Sequence, residues 1–323
     1  MIREFIHDGG RLRQADGEDG RQPAAVWIDL VSPTAEEESS IEQRLGIDIP
    51  TREEMEEIEI SSRLYHENGA SFMTATLPAQ ADGDDPQIAP VTFVLAGDQL
   101  VTVRYHEPRA FQTFPIRAQK TPMACESGEA VFVALLEAIV DRIADILERT
   151  GRGIDRLSRD VFRDTGGRPT RTQTFQAVLE SIGREGDLIS NIRDSLVTIE
   201  RLIGFLSQRD FAQKSARELR ERVRTQSHDV RSLADHAGFL SQKITLLLDA
   251  TLGMINIEQN AIIKIFSVAA VVFLPPTLIA SIYGMNFELM PELGWPLGYP
   301  FAVLLMLLSA ILPYVYFKRR GWL

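Results

Sequence analysis

Residues 265–283 read IFSVAAVVFLPPTLIASIY. Tyr283-Gly284-Met285-Asn286-Phe287-Glu288-Leu289-Met290-Pro291-Glu292-Leu293 carries the chain on, and residues 299–317 read YPFAVLLMLLSAILPYVYF. Both apolar stretches are uncharged and 19 residues long, close to the ~20 residues that cross ~30 Å of hydrocarbon as a helix. They are expected to be two transmembrane helices joined by a short loop. Between Gly284 and Gly298 lie Glu288 and Glu292 and no Lys or Arg, whereas Lys264 precedes the first span and Lys318-Arg319-Arg320 follow the second. The positive-inside rule then puts the loop outside and both termini in the cytoplasm. A chain that crosses twice and sets Gly, Asn and two carboxylates in the turn has the layout of an ion-conducting subunit.

The two spans differ. The second is apolar on nearly every side, as suits a helix facing lipid. The first carries a stripe, Asn260, Ile263, Ser267, Ala270, Leu274, Thr277, Ser281 and Gly284, at alternating steps of three and four. Such a 3.5-residue repeat is the seam of helices packed around a common axis. Two readings fit it: small residues that let membrane helices pack closely, or the lining of a conduit. Two helices cannot enclose a water-filled path, so a conduit requires a ring of copies. Pro275-Pro276 removes helix hydrogen bonds and is expected to bend or loosen the span.

Upstream, residues 1–118 alternate strand-like and helix-like pieces. Strands are expected at Ala25–Leu30, Ser71–Leu77, Val91–Leu95 and Leu100–Tyr105, the last two joined by Ala96-Gly97-Asp98-Gln99. Ser32-Pro33-Thr34 with Glu36 and Glu37 starts a helix through Leu45, and Thr51 with Glu54 forms a capping box for a second through Glu59. This is an α/β domain with a mixed or antiparallel sheet. Residues 119–210 read as a helical region, with helices from Val131 to Phe162 and from Thr170 to Leu206 broken by Gly166-Gly167-Arg168-Pro169. A stalk helix over 211–264 is expected to continue into the first span over 265–283, some ~105 Å of helix at 1.5 Å per residue. The loop occupies 284–298, the second span 299–317 and a basic cytoplasmic tail 318–323.

A net charge of -11 gives no basic footprint for nucleic acid. It is compatible with handling cations and equally with an ordinary acidic cytosolic domain. The single cysteine, Cys125, suits a reducing compartment, and Met1-Ile2-Arg3-Glu4-Phe5 has no apolar core of a secretory signal. No phosphate-binding G-x-x-x-x-G-K-[ST] loop occurs, and no H-E-x-x-H, C-x-x-C or G-x-S-x-G, so neither a nucleotide-driven pump nor an enzyme has residue-level support.

Tyr283-Gly284-Met285-Asn286 after a first span, then Met290-Pro291-Glu292-Leu293, Gly298-Tyr299-Pro300 and a closing Tyr316-Phe317-Lys318-Arg319-Arg320-Gly321-Trp322-Leu323, resembles the CorA family of magnesium transport proteins. Asn256-Ile257-Glu258-Gln259-Asn260, Phe273-Leu274-Pro275-Pro276-Thr277-Leu278 and Val26-Trp27-Ile28-Asp29-Leu30 extend the resemblance along the chain. It implies a funnel-shaped homopentamer in the bacterial inner membrane, with the first span lining the pore and the second forming an outer ring. It also implies passive Mg²⁺ uptake driven by the membrane potential, with Co²⁺ or Ni²⁺ as alternative ions and no nucleotide.

Under that resemblance Gly284, Met285 and Asn286 form the selectivity filter. Mg²⁺ sheds its waters reluctantly, so Asn286 carboxamides would accept hydrogen bonds from first-shell water; the bland reading of Asn286 is a helix C-terminal cap. Gly284 would let the backbone turn toward the axis. Glu288 and Glu292 either gather cations outside the mouth or are solvated loop charges and ion-pair partners. Thr277 and Asn260 offer oxygen rings at the two ends of the span, with the apolar Leu274, Ala270 and Ile263 between them. The family's inhibition by intracellular Mg²⁺ points to carboxylates, here Asp229, Asp235 and Asp249 on the stalk or Asp82, Asp84 and Asp85 in an acidic loop. The rivals are a Zn²⁺ transporter of the ZntB branch and a membrane-tethered metal sensor that conducts nothing.

Overall fold

A computed structural model of the chain describes residues 1–15, 24–83, 86–162, 171–209, 216–286 and 290–322. Two compact units emerge: Met1–Arg168 with Gln176–Leu248, and Pro169–Phe175 with Asp249–Leu323.

The first unit is built on a sheet of seven strands: β1 (Ile2–Asp8), β2 (Arg11–Gln14), β3 (Trp27–Val31), β4 (Leu64–Glu67), β5 (Ala70–Ala79), β6 (Gln87–Ala96) and β7 (Gln99–Arg104), in the order β2-β1-β3-β7-β6-β5-β4. All neighbours run antiparallel except β3 and β7, which are parallel. The sheet is therefore mixed. Of the strands, β1, β2 and β4 were not expected from the sequence.

Both faces of the central strands are covered: β3 is buried along Trp27–Leu30 and β7 along Leu100–Arg104, the polar Asp29, Thr102 and Arg104 included. On one face Ile28, Leu30, Val101 and Val103 pack with Ile41, Ile47, Ile49 and Met55. The first two of those contacts come from helix α1 (Ala35–Leu45) and the turn after it, and Met55 from α2 (Arg52–Glu56). On the other face Trp27 stacks on Phe5 at 4.4 Å and meets Phe114 edge-on at 5.8 Å. Phe114 belongs to α4 (Arg109–Lys120), which follows the short α3 (Ile60–Arg63).

Capping boxes fix both early helices. Thr34 with Glu37 starts α1, and Thr51 with Glu54 starts α2. The second helix stops at Glu56, short of the expected Glu59: Glu57 turns extended at ψ 145, and Arg63 Nε donates to its carbonyl where a helical N–H would have done so.

Under the second face of the sheet lies a buried polar relay. Arg104 grips Asp29 with two bonds, Nε to Oδ1 at 3.0 Å and Nη2 to Oδ2 at 2.9 Å. Thr102 Oγ1 donates to Asp29 Oδ1 at 2.8 Å and accepts from Trp27 Nε1 at 3.0 Å. The remaining Arg104 Nη1 reaches the His106 carbonyl at 2.8 Å, so each charge is paired and hydrogen-bonded, as burial of ions demands.

Helix α5 (Gly128–Phe162) begins against the sheet: Gly128 N–H donates to Asp98 O, and a Cβ on Gly128 would come within 2.3 Å of Gln99 backbone. Only glycine fits. Helix α6 (Arg171–Ser207) follows, and α7 is a single helix of 68 residues from Ala216 to Tyr283. Gly238 and Gly253 do not end α7, and it continues through Pro275-Pro276, whose rings leave the carbonyls of Val271 and Val272 without helical donors.

In the second unit, the apolar end of α7 is followed by a 3₁₀ turn (Pro291–Gly294) and by α8 (Gly298–Arg319). Both α7 and α8 are long and apolar enough to cross a membrane, with mean hydropathy 2.2 and 2.0 in their most apolar windows.

Candidate functional site

The site starts where α7 stops. Gly284 N–H still bonds the Ala280 carbonyl in helical register at 3.0 Å, but Met285 N–H turns to Ile282 at 3.2 Å, tightening the last turn. Asn286 follows with no regular structure, and both its side chain and that of Met285 are exposed. The glycine serves here in a way the sequence did not suggest. Its φ is not in the left-handed region, so no conformational freedom is being used. A Cβ at this position would instead lie 3.1 Å from the Ala280 oxygen, tighter than ordinary contact. Glycine lets the helix end close on itself.

Below it, the stripe residues are all solvent-facing in the single chain: Asn260, Ile263, Ser267, Ala270, Leu274, Thr277 and Ser281. Ile263 and Leu274 are 61% and 65% exposed. A helix face with two large aliphatic side chains this open needs a cover, either lipid or another copy. Thr277 spends its hydroxyl proton on the Phe273 carbonyl at 2.8 Å, which leaves its oxygen lone pairs free to accept.

A recess of about 410 Å³ lies between the end of α7 and the start of α8, its lining including Ala280, Tyr283, Gly284, Trp295, Tyr299 and Ala302. At the other end of α8, Arg320 sits over the Tyr316 ring at 5.5 Å and Trp322 stacks on Phe317 at 5.2 Å. Aromatic and basic side chains gathered in this way are interfacial anchors.

Of the carboxylates named from the sequence, Asp229, Asp235 and Asp249 are exposed on α7. Asp229 adds to the field that, after burial and together with Glu137 and Asp145, raises the pKa of Asp141 on α5; Arg117 opposes the rise. The Asp82 carboxylate has a different fate. It takes Arg109 at 2.7 Å, Arg142 at 2.6 Å and Arg149 as well. Three guanidinium groups make it an ion-pair hub, and it is not a vacant oxygen ligand. Nothing in the sequence around it signalled this, because the arginines come from α4 and α5. Asp84, Asp85 and Glu288 lie outside the described residues, as does the side chain of Glu292. Among the described residues no group of three or more His, Cys, Asp or Glu side chains is placed to hold a metal.

An α/β domain, a helix that runs on into an apolar span, and a second span behind a short loop define a membrane transport protein with two C-terminal crossings. Residues 23–319 match the family model described as CorA-like Mg2+ transporter protein, and the chain belongs to the CorA family. It is 35% identical over 324 residues to the magnesium transport protein CorA of Pasteurella multocida, and 36% identical over 325 residues to that of Escherichia coli; both alignments cover 100% of each chain. Among solved structures, the complete CorA magnesium transporter of Methanocaldococcus jannaschii superposes with a TM-score of 0.76 at 21% identity, covering 100% of this chain and 98% of that one. The ZntB cytoplasmic domain of Vibrio parahaemolyticus gives 0.58 at 11% identity over 79% of this chain and 97% of that one. These two likenesses carry the fold alone, so the second says nothing about zinc.

Proposed function

We propose that the chain is one subunit of a Mg²⁺ channel that lets the ion run down the membrane potential into the cell. Inward movement of two charges is worth about 4.6 kcal/mol per 100 mV, from ~2.3 per elementary charge, so no nucleotide is needed. The observation that carries the reading is the exposed Gly284-Met285-Asn286 end of α7, in a chain 36% identical over its full length to a magnesium transport protein.

In this reading the protein lies in the bacterial inner membrane with both termini in the cytoplasm. Five copies, the number the family resemblance implies, form a funnel. Asn286 carboxamides and Gly284 carbonyls hold hydrated Mg²⁺ through its waters, and Asn260, Ile263, Ser267, Ala270, Leu274, Thr277 and Ser281 line the path. The 3.5-residue spacing of these positions favours a shared axis. Leu274, Ala270 and Ile263 form the apolar constriction that gates by dewetting. Glu288 and Glu292 gather cations at the mouth. Intracellular Mg²⁺ closes the funnel by bridging exposed carboxylates, of which Asp229, Asp235 and Asp249 are better placed than the arginine-bound Asp82. Residues 1–118, 119–210 and 211–264 are the cytoplasmic α/β, helical and stalk segments of this device. Co²⁺ and Ni²⁺ pass as alternative ions.

Metal competition in proteoliposomes tests the ion. Uptake of Mg²⁺ that persists in the presence of Zn²⁺ supports the reading. Zn²⁺ uptake that excess Mg²⁺ leaves untouched would move the protein to the zinc-transporting branch, and absence of any flux would leave a metal sensor.

A further inference from the structure

We infer that the basic end of α8 is a binding site for the phosphodiester headgroup of an anionic glycerophospholipid. The inference goes beyond the ion pathway and rests only on α8 crossing the membrane. Lys318, Arg319 and Arg320 follow the 19 uncharged residues 299–317, so they leave the hydrocarbon together at one membrane–water boundary. The anions at that depth are lipid phosphates.

The helix end is shaped to keep these cations there. Gly321, at φ 71, closes α8 with two reverse bonds: its own N–H donates to the Lys318 carbonyl at 3.3 Å, and Trp322 N–H donates to the Phe317 carbonyl at 3.1 Å. This stop pattern brings the residue after the glycine back onto the last turn, and the Trp322 ring accordingly stacks on Phe317. The tail folds back instead of running on into water. Its indole and the Tyr316 ring stay beside the cations, and such rings settle in the headgroup layer. Arg320 lies over Tyr316 at 5.5 Å from the ring centre, a stacking that leaves the N–H edge of the guanidinium free to fork onto phosphate. All three cations are exposed, and among the described residues none of them meets a carboxylate.

Charge selects the class of lipid. Residues 293–323 contain no Asp or Glu, and three positive charges outweigh the ~0.5 negative charge of a helix end. A zwitterionic headgroup carries its own ammonium beside the phosphate, whereas an anionic one brings net charge. Each Lys or Arg at such a surface then strengthens binding about fivefold, the equivalent of ~1 kcal/mol.

The test uses the full-length protein in vesicles that contain a phosphatidylglycerol with a photoactivatable group on its headgroup, with adducts mapped by peptide mass spectrometry. Adducts are expected to concentrate on Tyr316–Trp322. Unlabelled phosphatidylglycerol should compete at least about fivefold better than phosphatidylethanolamine, and water-soluble glycerol phosphate should not compete. Lys318→Gln, Arg319→Gln and Arg320→Gln combined should abolish the preference, while Arg217→Gln, at an exposed arginine near the start of α7, should leave it. Should the triple variant fail to assemble, the competition on the unaltered protein still decides, as does Arg320→Gln alone, which should lose about fivefold. Equal competition by the two lipids would reduce the tail to a general interfacial anchor. Glycerol phosphate competing as well as the lipid would make this a site for free phosphate, and adducts that avoid the tail would place its cations against protein. Each of these three results overturns the inference.

Discussion

Gly284 donates its N–H to the Ala280 carbonyl at 3.0 Å, and a Cβ added to Gly284 would stand 3.1 Å from that same oxygen. The bond that ends the long helix and the space that a side chain would need coincide. Gly284, the residue that closes the long helix, thus sits where a side chain would press on the carbonyl it bonds, which would have to give by a few tenths of an ångström.

Gly284→Ala should therefore displace the segment by a few tenths of an ångström and carry Asn286 with it. Since a misplacement of ~1 Å can cost ~100-fold where geometry is decisive, a loss of about tenfold in Mg²⁺ flux is expected. Flux in proteoliposomes at equal protein content reads it, and unchanged flux would show that the close contact is not needed for conduction.

Asp29 and Arg104 should prove a stability pair with no part in conduction. Their side chains are 1% and 0% exposed, and removal of one partner from such a pair typically costs ~3–5 kcal/mol because the other charge stays buried. Asp29→Ala should lower the melting temperature of the purified protein sharply. A melting curve matching that of the unaltered protein would contradict the burial described.

His106 makes stability pH-dependent. Burial holds its pKa below the usual histidine value, against the bond of Nε2 to the Leu77 carbonyl, which raises it; the nearby Arg104 charge lowers it further. With the folded pKa depressed, the unfolded chain takes up the proton first. The contribution is complete above the unfolded value of ~6.5 and is lost as pH falls below it toward the folded pKa. Melting temperature should fall as pH drops below ~6.5, and His106→Gln should flatten that part of the profile. Equal slopes for the two proteins would remove His106 as the cause.

Cys125 should be chemically silent in the folded protein. It is buried, and burial pushes its thiol up to about 11, so almost no thiolate exists near pH 8. Alkylation should proceed only after denaturation; rapid labelling of the native protein would show that the site opens.

Much of this was legible from local pattern. The two spans follow from uncharged length. The hairpin of β6 and β7 follows from its alternation and turn, and the starts of α1 and α2 from Thr34 and Thr51. The strands that escaped lie at or near the sheet edges, where charges such as Arg3 and Glu4 break the apolar run of β1. A signal for β4 was present in Asn68-Gly69, whose φ values of 50 and 77 make the tight turn into β5. The Asp29–Arg104 pair was not legible, because it depends on the parallel register that sets Asp29 opposite Thr102 and Val31 opposite Arg104. Nor were the three arginines on Asp82, which come from helices remote in sequence. Periodicity marks faces, but it does not say which distant charge a face will meet.

Potential-driven Mg²⁺ uptake into proteoliposomes, compared between the unaltered protein and Asn286→Ala, bears most directly on the pore. A carboxamide that holds the ion through its water contributes charge-assisted hydrogen bonding of ~1.5 kcal/mol or more, so uptake should fall by about tenfold or more in the variant. Equal uptake by the two proteins would contradict the assignment of Asn286 as the selecting group.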